Sequence, residues 1–164
     1  MDNSRRIFLM QQTFATLFSL ANKLQVKGDQ TLHHLTVRQF MAMLAVIHLP
    51  DGEASLNNIA RKLGSTKQSV KQLINLVESK GYVNTVPSQR DKRAVNVIIT
   101  QPGSQAMFED NERGMKFFDD LFHEFTSEEM EILWNLLKKL YHFDGEEQSG
   151  FEDEIGYRPI EGEF

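Results

Sequence analysis

Apolar residues recur at three- and four-residue steps near the start of the chain: Ile7, Met10, Phe14, Leu17, Phe18, Ala21 and Leu24. That spacing predicts an amphipathic helix over residues 4–27, with Lys27-Gly28-Asp29 as its stop. Thr36 is placed to cap a second helix. Gln39, three residues on, can reach back to it, and Leu35 and Phe40 stand where a hydrophobic staple would close. This helix is expected to run to about His48, where Pro50-Asp51-Gly52 breaks it.

Two short helices follow. Ser55 caps the first, which buries Leu56, Ile59, Ala60 and Leu63 and ends at Gly64. Ser65-Thr66-Lys67-Gln68 repeats the capping signature, and a fourth helix turns Val70, Leu73, Ile74 and Val77 inward before Gly81. Short helices joined by a glycine-containing turn form the helix-turn-helix pattern.

The period then drops to two. Residues 82–86 and 94–99 are β-branched runs, with Val95, Val97 and Ile99 alternating, and polar, basic residues 87–93 lie between them. A hairpin with a charged tip is the expectation. Thr100 caps a fifth helix carrying Met107, Phe117, Phe118, Leu121, Phe122 and Phe125. Thr126-Ser127-Glu128-Glu129 opens a sixth, carrying Ile132, Leu133, Leu136, Leu137 and Leu140. The fold class is therefore mainly α with one small β-hairpin.

Charge changes the picture more than composition does. The net charge of −5 argues against nucleic acid when taken alone. Residues 53–100, however, carry eight basic groups against three acids, whereas residues 144–164 carry eight acids and one Arg. Local sign governs what a surface attracts within a screening length of ~8 Å. The middle of the chain is a basic island and its end an acidic tail.

The island concentrates its chemistry at two places. The opening turns of the fourth helix present Ser65, Thr66, Lys67, Gln68, Ser69, Lys71 and Gln72, a set of donors and acceptors suited to base edges and phosphates. Lys62, Lys67 and Lys71 are expected on phosphate oxygens, which supply affinity without sequence information. The hairpin tip offers Arg90, Lys92 and Arg93, suited to a narrow minor groove.

These segments resemble the winged-helix core of the MarR (multiple antibiotic resistance regulator) family. The resemblance is carried by Ser69-Val70-Lys71-Gln72-Leu73-Ile74, by Leu76 to Val83, by Arg90-Asp91-Lys92-Arg93-Ala94 and by Ile99-Thr100-x-x-Gly103. It extends over about residues 4–143. It implies a winged lobe at 53–100, dimerisation helices at 4–27 and 101–143, and residues 144–164 as an appended acidic tail. It further implies a homodimer binding a pseudo-palindromic double-stranded operator, as a repressor, with release by a small-molecule effector. Gln72 stands where many relatives have Arg, and Ser88 where the wing signature often has Asp.

The terminal helices support the dimer independently. Ile7, Phe14, Phe18, Phe118, Phe122, Trp134 and Tyr141 are more aromatic and apolar surface than two flanking helices usually hide within one subunit. Phe14, Phe18, Phe40 and Phe117 are candidate walls of an effector pocket. The acidic tail has two readings: a solvated terminus, or an arm whose aromatics dock while its acids compete with phosphate for the basic face.

Other chemistry finds little footing. No Cys is present, so thiolate metal sites and thiol redox sensing are excluded. His33, His34, His48, His123 and His142 show no ligand spacing, so neither a metal nor a cofactor is expected. Asp119-Asp120 and Glu128-Glu129 are adjacent and do not face each other on a helix, so the chain is read as no enzyme. Charge or Gln interrupts the apolar positions near the N-terminus every few residues, which points to no export signal, no membrane partner and a cytoplasmic location. The competing reading is a winged-helix module that binds another protein instead of DNA.

Overall fold

The computed structural model describes residues 2–89, 93–146 and 150–153. Among these, six helices and one hairpin follow in order: α1 (Asn3–Thr31), α2 (Val37–Ile47), α3 (Leu56–Lys62), α4 (Lys67–Ser79), β1 (Val83–Pro87), β2 (Val95–Ile99), α5 (Gln101–Phe122) and α6 (Ser127–Tyr141). The strands pair antiparallel, Val83 opposite Ile99 and Pro87 opposite Val95. An isolated bridge from Ser55 to Asn96 joins the start of α3 to the hairpin. The fold is the winged helix-turn-helix with flanking long helices.

The helix starts are set by short-range hydrogen bonds. Thr36 and Thr126 form complete capping boxes with Gln39 and Glu129, and Ser55, Thr66 and Thr100 each accept from the backbone N–H three residues on. Each such cap contributes about 1 kcal/mol. Gly64 and Gly81 take φ of 58° and 76° just past α3 and α4, where a side chain would be strained.

One core holds the lobe together. Leu35, Met43, Ile59, Val70, Ile74, Val77, Val83, Val97 and Met107 are buried together, drawing on α2, α3, α4, both strands and the first half of α5. The hairpin does not alternate as its sequence suggests. Val95 is exposed while Asn96 and Val97 are both buried, because the Asn96 side chain donates to the Gly52 carbonyl oxygen at 2.8 Å.

Two helix boundaries also differ. Gly28 does not stop α1, which runs on to Thr31. Gly28 is buried inside the helix because the Val37 side chain lies so close that a Cβ would overlap it. Phe125 falls outside α5, which ends at Phe122. It lies instead in the turn before α6, with its ring against Phe122 at 5.9 Å.

The long helices are far less covered than the lobe. Only Gly28 is buried along α1, and no residue of α6 is. Phe14 and Phe18 are 65% and 64% exposed. No helix of the described residues is long and apolar enough to cross a membrane.

At Gly103, the third residue of α5, the helix presses directly on the wing root. A Cβ there would overlap the backbone carbonyl of Tyr82. Gly103→Ala is therefore expected to cost about 1–3 kcal/mol, the range for overpacking. Gly28→Ala is expected to cost less, since the Val37 side chain that it meets can rotate away. Urea unfolding of the two variants checks the order.

Candidate nucleic-acid interface

The first turns of α4 stand out because the opposite face is fully committed to the core. Val70, Ile74 and Val77 are at most 1% exposed. With 3.6 residues per turn, that burial turns Lys67, Gln68, Lys71 and Gln72 outward, and all four are exposed. Lys67 and Lys71 stack along one line of the helix, Gln68 and Gln72 along the next.

Thr66 and Ser69 have a different job. The Thr66 hydroxyl oxygen accepts from the Ser69 N–H at 3.1 Å, and its O–H donates to the Ser69 Oγ at 2.9 Å. Both therefore belong first to the cap. Ser65 is half-buried in the turn, its N–H donating to the Ala60 carbonyl at 2.8 Å.

Beside α4 lies an open groove of about 720 Å³ between the helix, the start of α3 and the wing. Lys67, Lys71 and Arg93 line it, together with Asn57 and Asn75. Arg93 is exposed at the described edge of the wing, whereas Arg90 and Lys92 lie outside the described residues. Glu78 faces the same groove, but its Oε1 accepts from both the N–H and the hydroxyl of Thr85, at 2.9 and 2.8 Å. That contact ties the base of the wing to α4.

Asn75 was not among the candidates read from the sequence. It is exposed one turn beyond Lys71 on the same line, so continuing the helical period by four residues finds it. Asn57 has no comparable signal, because its place in the groove depends on how α3 crosses α4.

Lys62 requires a correction. It was expected on phosphate, yet it is 2% exposed. Its ammonium lies over the Phe151 ring, 5.4 Å from the centroid, and its backbone oxygen accepts from the Tyr141 hydroxyl at 2.9 Å. Phe151 also meets His48 edge-on at 5.2 Å. The beginning of the acidic tail therefore docks against α3 and the end of α2. Burial holds the Lys62 ammonium below its ordinary pKa, with Glu152 and Asp153 opposing that shift. Arg61 and Glu146 pair at 3.4 Å nearby, both more than half exposed, a contact worth little.

The four phenylalanines proposed for an effector pocket are not brought together. Phe14 and Phe18 touch, ring centroids 4.9 Å apart, and open onto an apolar cavity of about 620 Å³ shared with Trp134, Leu137, Tyr141 and Phe151. Phe40 packs against the lobe core, and Phe117 lies beside Phe118 on α5. Helical spacing identifies which residues are apolar but not which helix they face. Among the described residues no group of three or more His, Asp or Glu is placed to hold a metal ion.

Burial also lowers the pKa of His48, and the nearby Lys62 ammonium adds to this, against Asp153 and Glu152. The folded chain is thus less protonated at His48 than the unfolded chain. Stability from this group is full above the ordinary value of 6.5 and is lost as pH falls below it. Thermal unfolding between pH 7.5 and 5.5 should show that fall. His48→Gln should make it shallower, and an unchanged slope would remove His48 as its source.

Comparison with known proteins bears on this geometry. The sequence profile of the MarR family matches residues 33–94, which span α2 to β1 and end just before β2. The transcriptional activatory protein BadR of Rhodopseudomonas palustris is 31% identical over 99 residues, covering 58% of this chain and 56% of that protein. The chain thus matches little more than half the length of that relative. The crystal structure of a MarR/EmrR family transcriptional regulator from Acinetobacter sp. ADP1 superposes with a TM-score of 0.70 at 23% identity, over 84% of this chain and 97% of that one. MepR of S. aureus, solved in a complex with DNA, superposes with a TM-score of 0.68 at 22% identity, over 77% and 94%.

Proposed function

We propose, from the premise that residues 33–94 carry the MarR-family domain, that this chain is a homodimeric, sequence-specific DNA-binding transcriptional regulator. The observation that carries the reading is the outward face of α4. Lys67, Gln68, Lys71 and Gln72 project from its first two turns beside a groove that Arg93 closes on the wing side.

Each group has a distinct part. The N-terminal end of α4 enters a major groove, where Gln68 and Gln72 are of the type that pairs with adenine edges. Lys67 and Lys71 neutralise flanking phosphates, and Arg93 reaches the neighbouring minor groove with the wing. Ser65, Thr66 and Ser69 hold the first turn in shape and offer their remaining hydrogen-bonding capacity to phosphate. Likeness to MepR, which was solved with DNA, supports this placement of the lobe.

Dimerisation is supported by the bare apolar faces of the long helices. Phe14, Phe18, Phe118, Trp134, Leu136 and Leu140 are all at least 40% exposed on α1, α5 and α6. A patch of that kind on a lone chain marks an interface. Two lobes joined through it read half-sites about one helical turn, ~10 bp, apart. Repression is the simplest outcome, because a dimer seated on a promoter excludes polymerase. A small apolar effector would lodge in the cavity bounded by Phe14, Phe18 and Trp134 and shift the lobes out of that spacing. In this reading the protein acts by binding DNA and not by catalysis, and it works in the cytoplasm.

Selection from a random duplex pool at moderate salt tests the proposal. An inverted repeat is the expected product, and an unenriched pool from folded dimer would favour a protein partner for the lobe. On the selected operator, Gln68→Ala and Gln72→Ala should each cost about 1–3 kcal/mol and relax one base position. Lys67→Ala and Lys71→Ala should instead weaken binding to all sequences alike, each lowering the salt slope by about 1. Sedimentation should give twice the chain mass, and Phe14→Asp with Phe18→Asp should shift it toward the single chain.

A further inference from the structure

Asp110 is a carboxylate that the reading above leaves unused. It sits on α5, is completely buried, and faces the segment between α1 and α2. Its Oδ1 accepts from the His33 N–H at 2.8 Å and the His34 N–H at 3.2 Å. Its Oδ2 accepts from the His34 N–H at 3.1 Å and the Leu35 N–H at 2.9 Å. Three consecutive peptide N–H groups thus form a nest around one buried negative charge.

On the other side of the same peptides lies a positive charge. Lys80, the residue that closes the C-terminal end of α4, donates its ammonium to the His34 carbonyl oxygen at 2.8 Å and to the Gln39 Oε1 at 3.0 Å. Gln39 is itself buried, and the same Oε1 accepts from the Thr36 N–H at 3.2 Å. Residue 34 therefore gives its N–H to a carboxylate and its C=O to an ammonium. Each ionic hydrogen bond polarises the segment in the sense that strengthens the other.

We propose that Lys80 and Asp110 are positioning residues for sequence reading: through residues 33–39 they clamp the C-terminal end of α4 to α5 and set the angle at which its N-terminal turns meet DNA. The inference rests on α4 being the reading helix. At 13 residues, α4 is about 20 Å long, so a tilt of roughly 10° at the clamped end moves the reading end by about 3 Å. That displacement is enough to take Gln68 and Gln72 out of hydrogen-bonding reach of a base edge. Lys80 lies at the opposite end of the helix from Lys67, and its ammonium is turned to protein oxygens.

Two measurements on the full chain decide the matter. The first compares affinity for the selected operator with affinity for a scrambled duplex of equal length, across a salt series. Lys80→Met, which keeps the stem and removes the donor, should weaken the operator complex at least tenfold. It should leave the scrambled duplex and the salt slope unchanged, and Lys80→Arg should restore most of the loss. Equal weakening of both duplexes with a salt slope lower by about 1 would make Lys80 a phosphate contact and overturn the proposal.

The second needs no operator, so its failure is distinct from failure of the DNA reading. The chain has no Cys, so with the doubly labelled chain diluted into an excess of unlabelled chain, spin labels at Gln68→Cys and Glu112→Cys report the single distance between α4 and α5 of one chain. Lys80→Met and, where it folds, Asp110→Asn should broaden that distance distribution. An unbroadened distribution in Lys80→Met overturns the clamp whatever the DNA result.

Discussion

The burial of Val70, Ile74 and Val77 on α4 is the contact on which the other functional features depend. These side chains are closed in by α2, α3 and the root of the wing, and each contributes roughly 1.5–3 kcal/mol by leaving water. Their spacing fixes the rotation of the helix about its own axis. Once that rotation is set, every polar residue on the far side has its direction decided, including those that reach the groove. The helix has no freedom to offer a different face without exposing its apolar line. Specific chemistry on one side of α4 is thus a consequence of non-specific chemistry on the other.

Around this helix the chain uses charged groups in opposite ways. Lys67 and Lys71 remain in solvent, whereas Lys62, Lys80 and Asp110 are engaged within the protein itself. The buried charges of Lys62 and Asp110 are tolerated because partners are supplied, an aromatic face and a nest of peptide N–H groups, and the exposed Lys80 ammonium is held by the His34 carbonyl oxygen. The count of basic residues between 53 and 100 therefore overstates what DNA would meet. The lobe spends part of its positive charge on its own architecture.

What the sequence made legible follows the range of the interactions concerned. The caps at Thr36, Ser55, Thr66, Thr100 and Thr126 close over three residues, so residue types at fixed offsets are enough to place the helix starts. The outward run on α4 was likewise legible, because a single helical period sorts inside from outside. Gly28 misled because a glycine that stops a helix and a glycine that admits a neighbouring side chain look the same locally; Val37 decides between them. Lys62 and Asp110 are buried by segments dozens of residues away, and no short-range pattern marks them. Phe40 and Phe117 were joined to Phe14 and Phe18 for being aromatic, yet their surroundings depend on how the helices cross.

The order in which the chain is made gives the exposed length of α1 a further meaning. At 29 residues α1 spans about 43 Å, and it leaves the ribosome before any of the lobe exists. The helices that share its apolar side, α5 and α6, are synthesised only after the whole lobe. At ordinary translation speeds Phe14 and Phe18 then wait on the order of ten seconds for the rest of the chain. During that interval the nascent chain carries an uncovered apolar helix ahead of an unfinished lobe. For the dimer proposed above, neighbouring ribosomes on one message would bring two such helices close together, so that pairing would begin while the lobes are still being made.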